Sequence, residues 1–168
     1  KNFHYRNDSV VNQSTWHEAI EFPDRFIIYF GEPEKKIGIL FRNDSAYSLR
    51  EGQVTKARSD SNSLLLILGG MFYRDFNEVL SRLKGAGYNT SVLSQQLWKG
   101  TEHWVLGADP GDLTSNQIWW EAKSLKVVRI IENSSASNRI DMRFEDYQNW
   151  CKGHVETKVA FYRNGKLE

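Results

Sequence analysis

Phe26-Ile27-Ile28-Tyr29-Phe30-Gly31-Glu32-Pro33-Glu34-Lys35-Lys36-Ile37-Gly38-Ile39-Leu40-Phe41 decides how this chain is read. Phe26–Phe30 is β-branched or aromatic at every position. Such a run reads as a strand that is apolar on both faces. Gly31–Lys36 is a turn, because its proline cannot donate to a ladder and its glycine and charges suit a bend. Ile37–Phe41 then returns as a second strand. The unit is an antiparallel hairpin with far more apolar surface than one solvated sheet face needs.

The same alternation extends outward on both sides. Trp16, Glu18, Ile20 and Phe22 share one parity, with His17, Ala19 and Glu21 on the other. Pro23-Asp24 breaks the pairing before the next strand. Further upstream, Phe3 and Tyr5 face Val10 and Val11 across an Arg6–Ser9 turn. Downstream, Arg42–Ser45 turns, Ala46–Leu49 returns, and Arg50–Gln53 offers another turn.

The middle of the chain changes character. Asp60–Ser63 supplies N-cap residues before Leu64–Leu68, and Gly69-Gly70 reads as a stop, which favours a short buried helix, although five apolar residues could equally form a strand. Asp75 opens a second helix. Its Phe76, Val79, Leu80 and Leu83 fall at i, i+3, i+4 and i+7, one apolar stripe. The second half returns to strands at His103–Ala108, Asn116–Glu121, Val127–Ile131, Arg139–Tyr147 and Val155–Tyr162. Asn133–Asn138 reads as a polar loop. Asn164-Gly165 is a turn dipeptide that leads into a further strand.

Summed, the chain is mainly β, of the α+β kind. About ten to eleven antiparallel strands form one curled sheet, because a sheet of that width must curl or close. A half-open β-barrel follows, with the two mid-chain helices as a lid on its concave face. Residues 1–168 fit a single domain.

Composition narrows the function. Lys and Arg number 22 against 21 Asp and Glu, a net charge of +1, so no nucleic-acid partner is expected. No window approaches ~18 uncharged apolar residues, so no membrane-spanning helix is expected and any membrane contact is peripheral. The one cysteine, Cys151, permits no internal disulfide and reads as a small packed side chain. Asn-x-Ser/Thr sequons at Asn7, Asn12, Asn43, Asn89 and Asn133 read as a consequence of abundant Asn and Ser.

Catalytic signals are weak. His4, His17, His103 and His154 have no metal-ligand spacing. Phosphate-binding, dinucleotide-binding and nucleophile-elbow motifs do not occur. Glu18, Glu21, Asp24 and Asp112 read as solvated strand or turn carboxylates. No catalytic residue, metal or cofactor is expected. The positive signal is apolar. Phe22, Phe26, Ile28, Phe30, Ile39, Phe41 and Trp120 are the candidate lining of a cavity for an acyl chain or another apolar ligand. Leu65, Leu68, Phe76, Leu80 and Leu83 are the candidate lid. An empty site of this kind stays compatible with water only if the lid closes.

Local motifs carry a family resemblance. Glu21-Phe22-Pro23-Asp24-Arg25-Phe26 resembles a strand–Pro-x-x-Phe element, and Phe41–Tyr47 resembles the hairpin that follows it. Asn116-Gln117-Ile118-Trp119 followed by Val127-Val128-Arg129-Ile130 resembles a later strand pair, and Tyr162–Leu167 resembles a closing segment. In this order they resemble the LolA/LolB-like superfamily of outer-membrane lipoprotein-sorting proteins. The resemblance implies a periplasmic or outer-membrane-associated carrier of lipid or lipoprotein acyl chains, without a cofactor, that meets an outer-membrane or transporter partner protein. Phe26 matches the aromatic residue that contacts the acyl chain. Two features depart from the pattern. The chain starts at the first strand, so the family's N-terminal helix, the export or lipobox segment and a C-terminal end are expected outside it. Phe22 also stands where the carriers have a basic residue. Two other readings remain open: an enzyme on the same half-barrel acting on a hydrophobic small molecule, and a protein-docking module whose core is filled by its own side chains.

Overall fold

The computed structural model describes every residue except 7, 8, 136, 137, 151 and 152, and the side chain of Ser134. Cys151, the Asn7 sequon and the tips of the Arg6–Ser9 and Asn133–Asn138 segments therefore lie outside the described residues. The chain divides into two compact units, Lys1–Val79 and Leu80–Glu168.

The first unit begins with a two-stranded ribbon, β1 (Asn2–Arg6) and β2 (Ser9–Ser14). Five strands then form an antiparallel sheet in chain order: β3 (Trp16–Glu21), β4 (Arg25–Phe30), β5 (Gly38–Arg42), β6 (Ser45–Arg50) and β7 (Gln53–Ser59). The turns explain this order. Asn43-Asp44 joins β5 to β6 with φ of 49° and 55°, and Glu51-Gly52 joins β6 to β7 with 53° and 80°. Two successive left-handed residues give the turn whose twist matches a tight hairpin.

The helical segment follows. Asn62 caps α1 (Ser63–Ile67), its side-chain oxygen accepting the Leu65 amide at 3.0 Å. Leu65, Leu66 and Ile67 are buried. The Gly69-Gly70 stop does not end helical geometry, because a 3-10 turn occupies Gly70–Tyr73 before α2 (Phe76–Gly85). Two glycines let this segment lie against the β3–β4 turn. A Cβ on Gly69 would stand 2.3 Å from the Phe22 ring, and one on Gly70 would stand 2.8 Å from the Pro23 carbonyl.

The second unit is a seven-stranded antiparallel sheet. In spatial order it runs through β8 (Leu93–Trp98), β9 (Thr101–Leu106), β10 (Gln117–Glu121), β11 (Val127–Ser135), β12 (Asn138–Glu145), β15 (Lys158–Arg163) and β16 (Lys166–Leu167). A separate ribbon, β13 (Gln148–Trp150) with β14 (Gly153–Val155), lies between β12 and β15 in the chain. Val105, Ile118, Ile130 and Ile131 are fully buried at the centre.

The mainly β, antiparallel expectation therefore holds, while the single wide sheet does not. The ladders make sheets of five and seven strands, and neither closes into a barrel. Helical segments fill the chain between β7 and β8, so the hairpin sequence stops there. The polar loop expected at Asn133–Asn138 is largely hairpin arm, since β11 runs to Ser135 and β12 starts at Asn138. β7 and β8 carry no sequence signal of the expected kind. β7 is exposed along its whole length. On β8 the exposed residues are Leu93, Gln95 and Leu97, while Ser94, Gln96 and Trp98 turn inward.

Gly69→Ala should displace the Phe22 ring and cost about 1–3 kcal/mol of stability by overpacking. Urea unfolding of Gly69→Ala, Phe22→Ala and the double variant checks this. Because the two residues touch, the double variant should cost clearly less than the sum of the singles.

Candidate functional site

Register in the five-stranded sheet brings five of the predicted lining residues to one face. Phe26 pairs with Phe41 and Ile28 with Ile39 across β4–β5. Phe30 pairs with Trp16, and Phe26 also with Ile20, across β3–β4. Directly opposed residues point to the same side of a sheet. The Phe26 and Phe41 rings stack with centroids 5.8 Å apart, and Trp16 meets Phe30 edge-on at 5.3 Å. Glu18 interrupts this face beside Ile28. At the β7 edge the same rows end on Lys56 and Arg58.

Coverage of this face is incomplete. Phe26, Ile28, Phe30, Ile39 and Phe41 are all half-buried, and Trp16 and Ile20 are exposed. The opposite face carries Ile27, Tyr29, Leu40, Tyr47 and Leu49, which are half-buried as well. Among the described residues of these five strands, the buried ones are Gly38 and Ala46.

The other predicted residues lie elsewhere. Phe22 sits in the β3–β4 turn, its ring stacked on Tyr73 at 5.9 Å and closed in by Gly69. Trp120 belongs to the second unit, where it is half-buried on β10 opposite Trp104. Of the candidate lid residues, Leu65 and Leu83 are buried and Leu68 and Leu80 half-buried. Phe76 departs from its expected stripe. It is 72% exposed, while Val79 and Leu83 carry the buried face of α2. As the first residue of the helix it stands one turn before that buried face begins.

A second site was hidden in the sequence. Arg139, Asp141, Arg143 and Glu145 alternate along β12 and resemble a solvated charged face, yet Asp141 is buried and Arg143 half-buried. Arg129 of β11, also buried, grips Asp141 with two bonds, Nε to Oδ1 at 2.8 Å and Nη2 to Oδ2 at 2.7 Å. Arg143 Nη2 donates to the same Oδ2 at 3.0 Å. Trp98 and Trp119, themselves 6.0 Å apart, both lie against the Arg129 guanidinium, each ring centroid 5.2 Å away, and Tyr162 lies 4.0 Å from that of Arg143. His103 completes the group, 5.7 Å from Trp98 and 6.0 Å from Trp119. The signal that could have found it is Arg129, a lone cation inside the apolar run Val127–Ile131.

The carboxylate of this group is fully engaged, while Arg143 Nε and His103 Nδ1 are buried without a hydrogen-bond partner among the described residues. Burial alone would raise the Asp141 carboxyl, but the bonds and charges of Arg129 and Arg143 more than offset this and hold it below the ordinary carboxylate range. Hydrogen bonds from Lys158 and Lys99 hold Glu145 at about 2, and bonds from Ser115 and Thr114 hold Asp112 at about 2. Burial, then Glu132, push the Tyr88 hydroxyl far up, where it donates to the Glu132 carboxylate at 2.7 Å. Both oxygens of Asp141 are committed to arginines, so the network ties β11 to β12. No group of three metal-ligating side chains occurs among the described residues. Nor is any described helix long and apolar enough to cross a membrane.

Asp141→Ala should cost about 3–5 kcal/mol, because it leaves the Arg129 charge buried without its partner. Thermal melts against pH give a second check. Asp141, Glu145 and Asp112 have folded pKa values below their unfolded ones, so their stabilisation is complete above the ordinary carboxylate range. It should be lost as pH falls from about 4 toward 2, with Asp141 the main contributor because the other two groups are more exposed. Compared with models of known protein families, with curated protein sequences and with solved structures, the chain finds no match.

Proposed function

We propose that this protein is a carrier that binds an apolar ligand, an acyl chain of a lipoprotein or of another lipid. The site is the Phe26–Ile28–Phe30–Ile39–Phe41 face of the five-stranded sheet. The observation that carries this reading is the incomplete cover on that face: large apolar side chains stand in register, stacked on one another and half-exposed. Water-facing surface of this kind is costly unless something occupies it. An acyl chain laid along these rows gains ~0.8 kcal/mol per buried methylene before ordering costs. For a long chain that leaves a dissociation constant on the order of a micromolar.

The fuller form of the proposal is a half-open barrel of the LolA/LolB-like kind. In it the α1–α2 segment closes over the ligand and opens to release it. The motifs Glu21–Phe26 and Asn116–Ile130 support that form. Phe22 in place of the carriers' basic residue separates ligand holding from their release cycle. The setting that fits is the periplasm, with peripheral contact to a membrane. No catalytic group is assigned, because the strongest polar network has its carboxylate engaged by arginines.

Titration with a fluorescent fatty acid tests the site. Wild type should bind in the micromolar range. Phe26→Glu should weaken binding about a hundredfold by setting a charge against the chain. Phe161→Glu, on β15 of the other unit, should leave binding unchanged. Equal affinity in wild type and Phe26→Glu, with both folded by circular dichroism, would remove this face from the site.

A further inference from the structure

We infer that the segment Gly70–Phe76 is a membrane-contact tip that dips its aromatic side chains into the interfacial layer of a lipid bilayer. Phe72 is 79% exposed, Tyr73 66% and Phe76 72%. Three large aromatic side chains within five residues therefore stand in water, on a 3-10 turn and the first residue of the following helix. The base of the tip is fixed rather than loose. Tyr73 stacks on Phe22 at 5.9 Å, and Gly69 and Gly70 sit against the Phe22-Pro23 turn.

Size decides what kind of partner fits. At about 200 Å² per aromatic side chain, the three offer roughly 400 Å² of contact. A stable protein interface needs about 800 Å² from each partner. A bilayer has no such threshold, since its interface closes around whatever protrudes and favours aromatic rings at the headgroup level. Charge agrees. The segment holds one cation and one anion, Arg74 and Asp75. Arg74 is bound to Glu78, and Asp75 receives the Asn77 amide at 2.8 Å. With no net charge, the tip binds by apolar insertion and not by attraction to anionic lipid.

This inference rests on the reading that the protein meets a membrane, and not on ligand binding. Co-sedimentation with phosphatidylcholine vesicles, neutral overall, tests it. Wild type should partition onto the vesicles equally at low and high salt. Phe72→Ser/Phe76→Ser should lower that partition about tenfold. Leu97→Ser removes an equally exposed apolar residue from β8 and should change nothing. The double variant should keep the wild-type circular-dichroism spectrum and melting temperature, which shows that it is folded. Wild type that stays off the vesicles, or a double variant that partitions like wild type, would overturn the tip. So would an equal loss in Leu97→Ser. Loss of fatty-acid binding in wild type, with vesicle binding intact, would overturn the carrier reading alone.

Discussion

A strand that is apolar on both faces must be covered on both faces, and the rest of this structure is arranged around that demand. The seven-stranded sheet meets it. Ile118 and Ile130 are sealed on one side of its central strands, Val105 and Ile131 on the other. The five-stranded sheet meets it only halfway, although five of the six residues of β4 are apolar or aromatic. Aromatic stacking of Phe26 on Phe41 and of Trp16 on Phe30 hides part of each ring from water. The remainder of each ring stays exposed to water.

The second sheet shows how a polar set can lie inside such a frame. Arg129 and Asp141 sit on neighbouring strands, and their double hydrogen bond holds the charges at a fixed register. The Trp98 and Trp119 rings lie beside the guanidinium and add cation–π contact. Burying two charges is costly, and the double hydrogen bond between them offsets that cost. Gln117 follows the same rule beside it, accepting from the Trp119 indole at 2.8 Å and donating to the Asp112 carbonyl at 2.7 Å.

Local chemistry made much of this legible. Phe26–Phe41 could only be a hairpin, Asn43-Asp44 only a tight turn, and Asn62 is the cap that Asp60–Ser63 promised. Five of the seven proposed lining residues fall on one face because alternation along β4 and β5 fixes it. What failed did so where tertiary pairing outweighed pattern. β8 hides Ser94 and Gln96 and exposes Leu93 and Leu97, the reverse of what polarity suggests. Ser94 is drawn inward by a bond to the Ala108 carbonyl at 2.8 Å. β7 exists through its ladder to β6, with too few apolar residues to declare itself. The Arg129–Asp141 pair joins residues twelve apart on two strands, a distance no local pattern spans. Phe76 fitted a helical stripe by spacing alone, and spacing does not say where a helix begins to be covered.

The measurement that bears most directly on the carrier reading is native mass spectrometry of protein purified without detergent, followed by organic extraction. A co-purifying mass that extracts as an acyl lipid is the expected result. A clean polypeptide mass that stays clean after incubation with fatty acid or lipopeptide would contradict it, and would mean that the half-covered face is closed by the protein's own side chains.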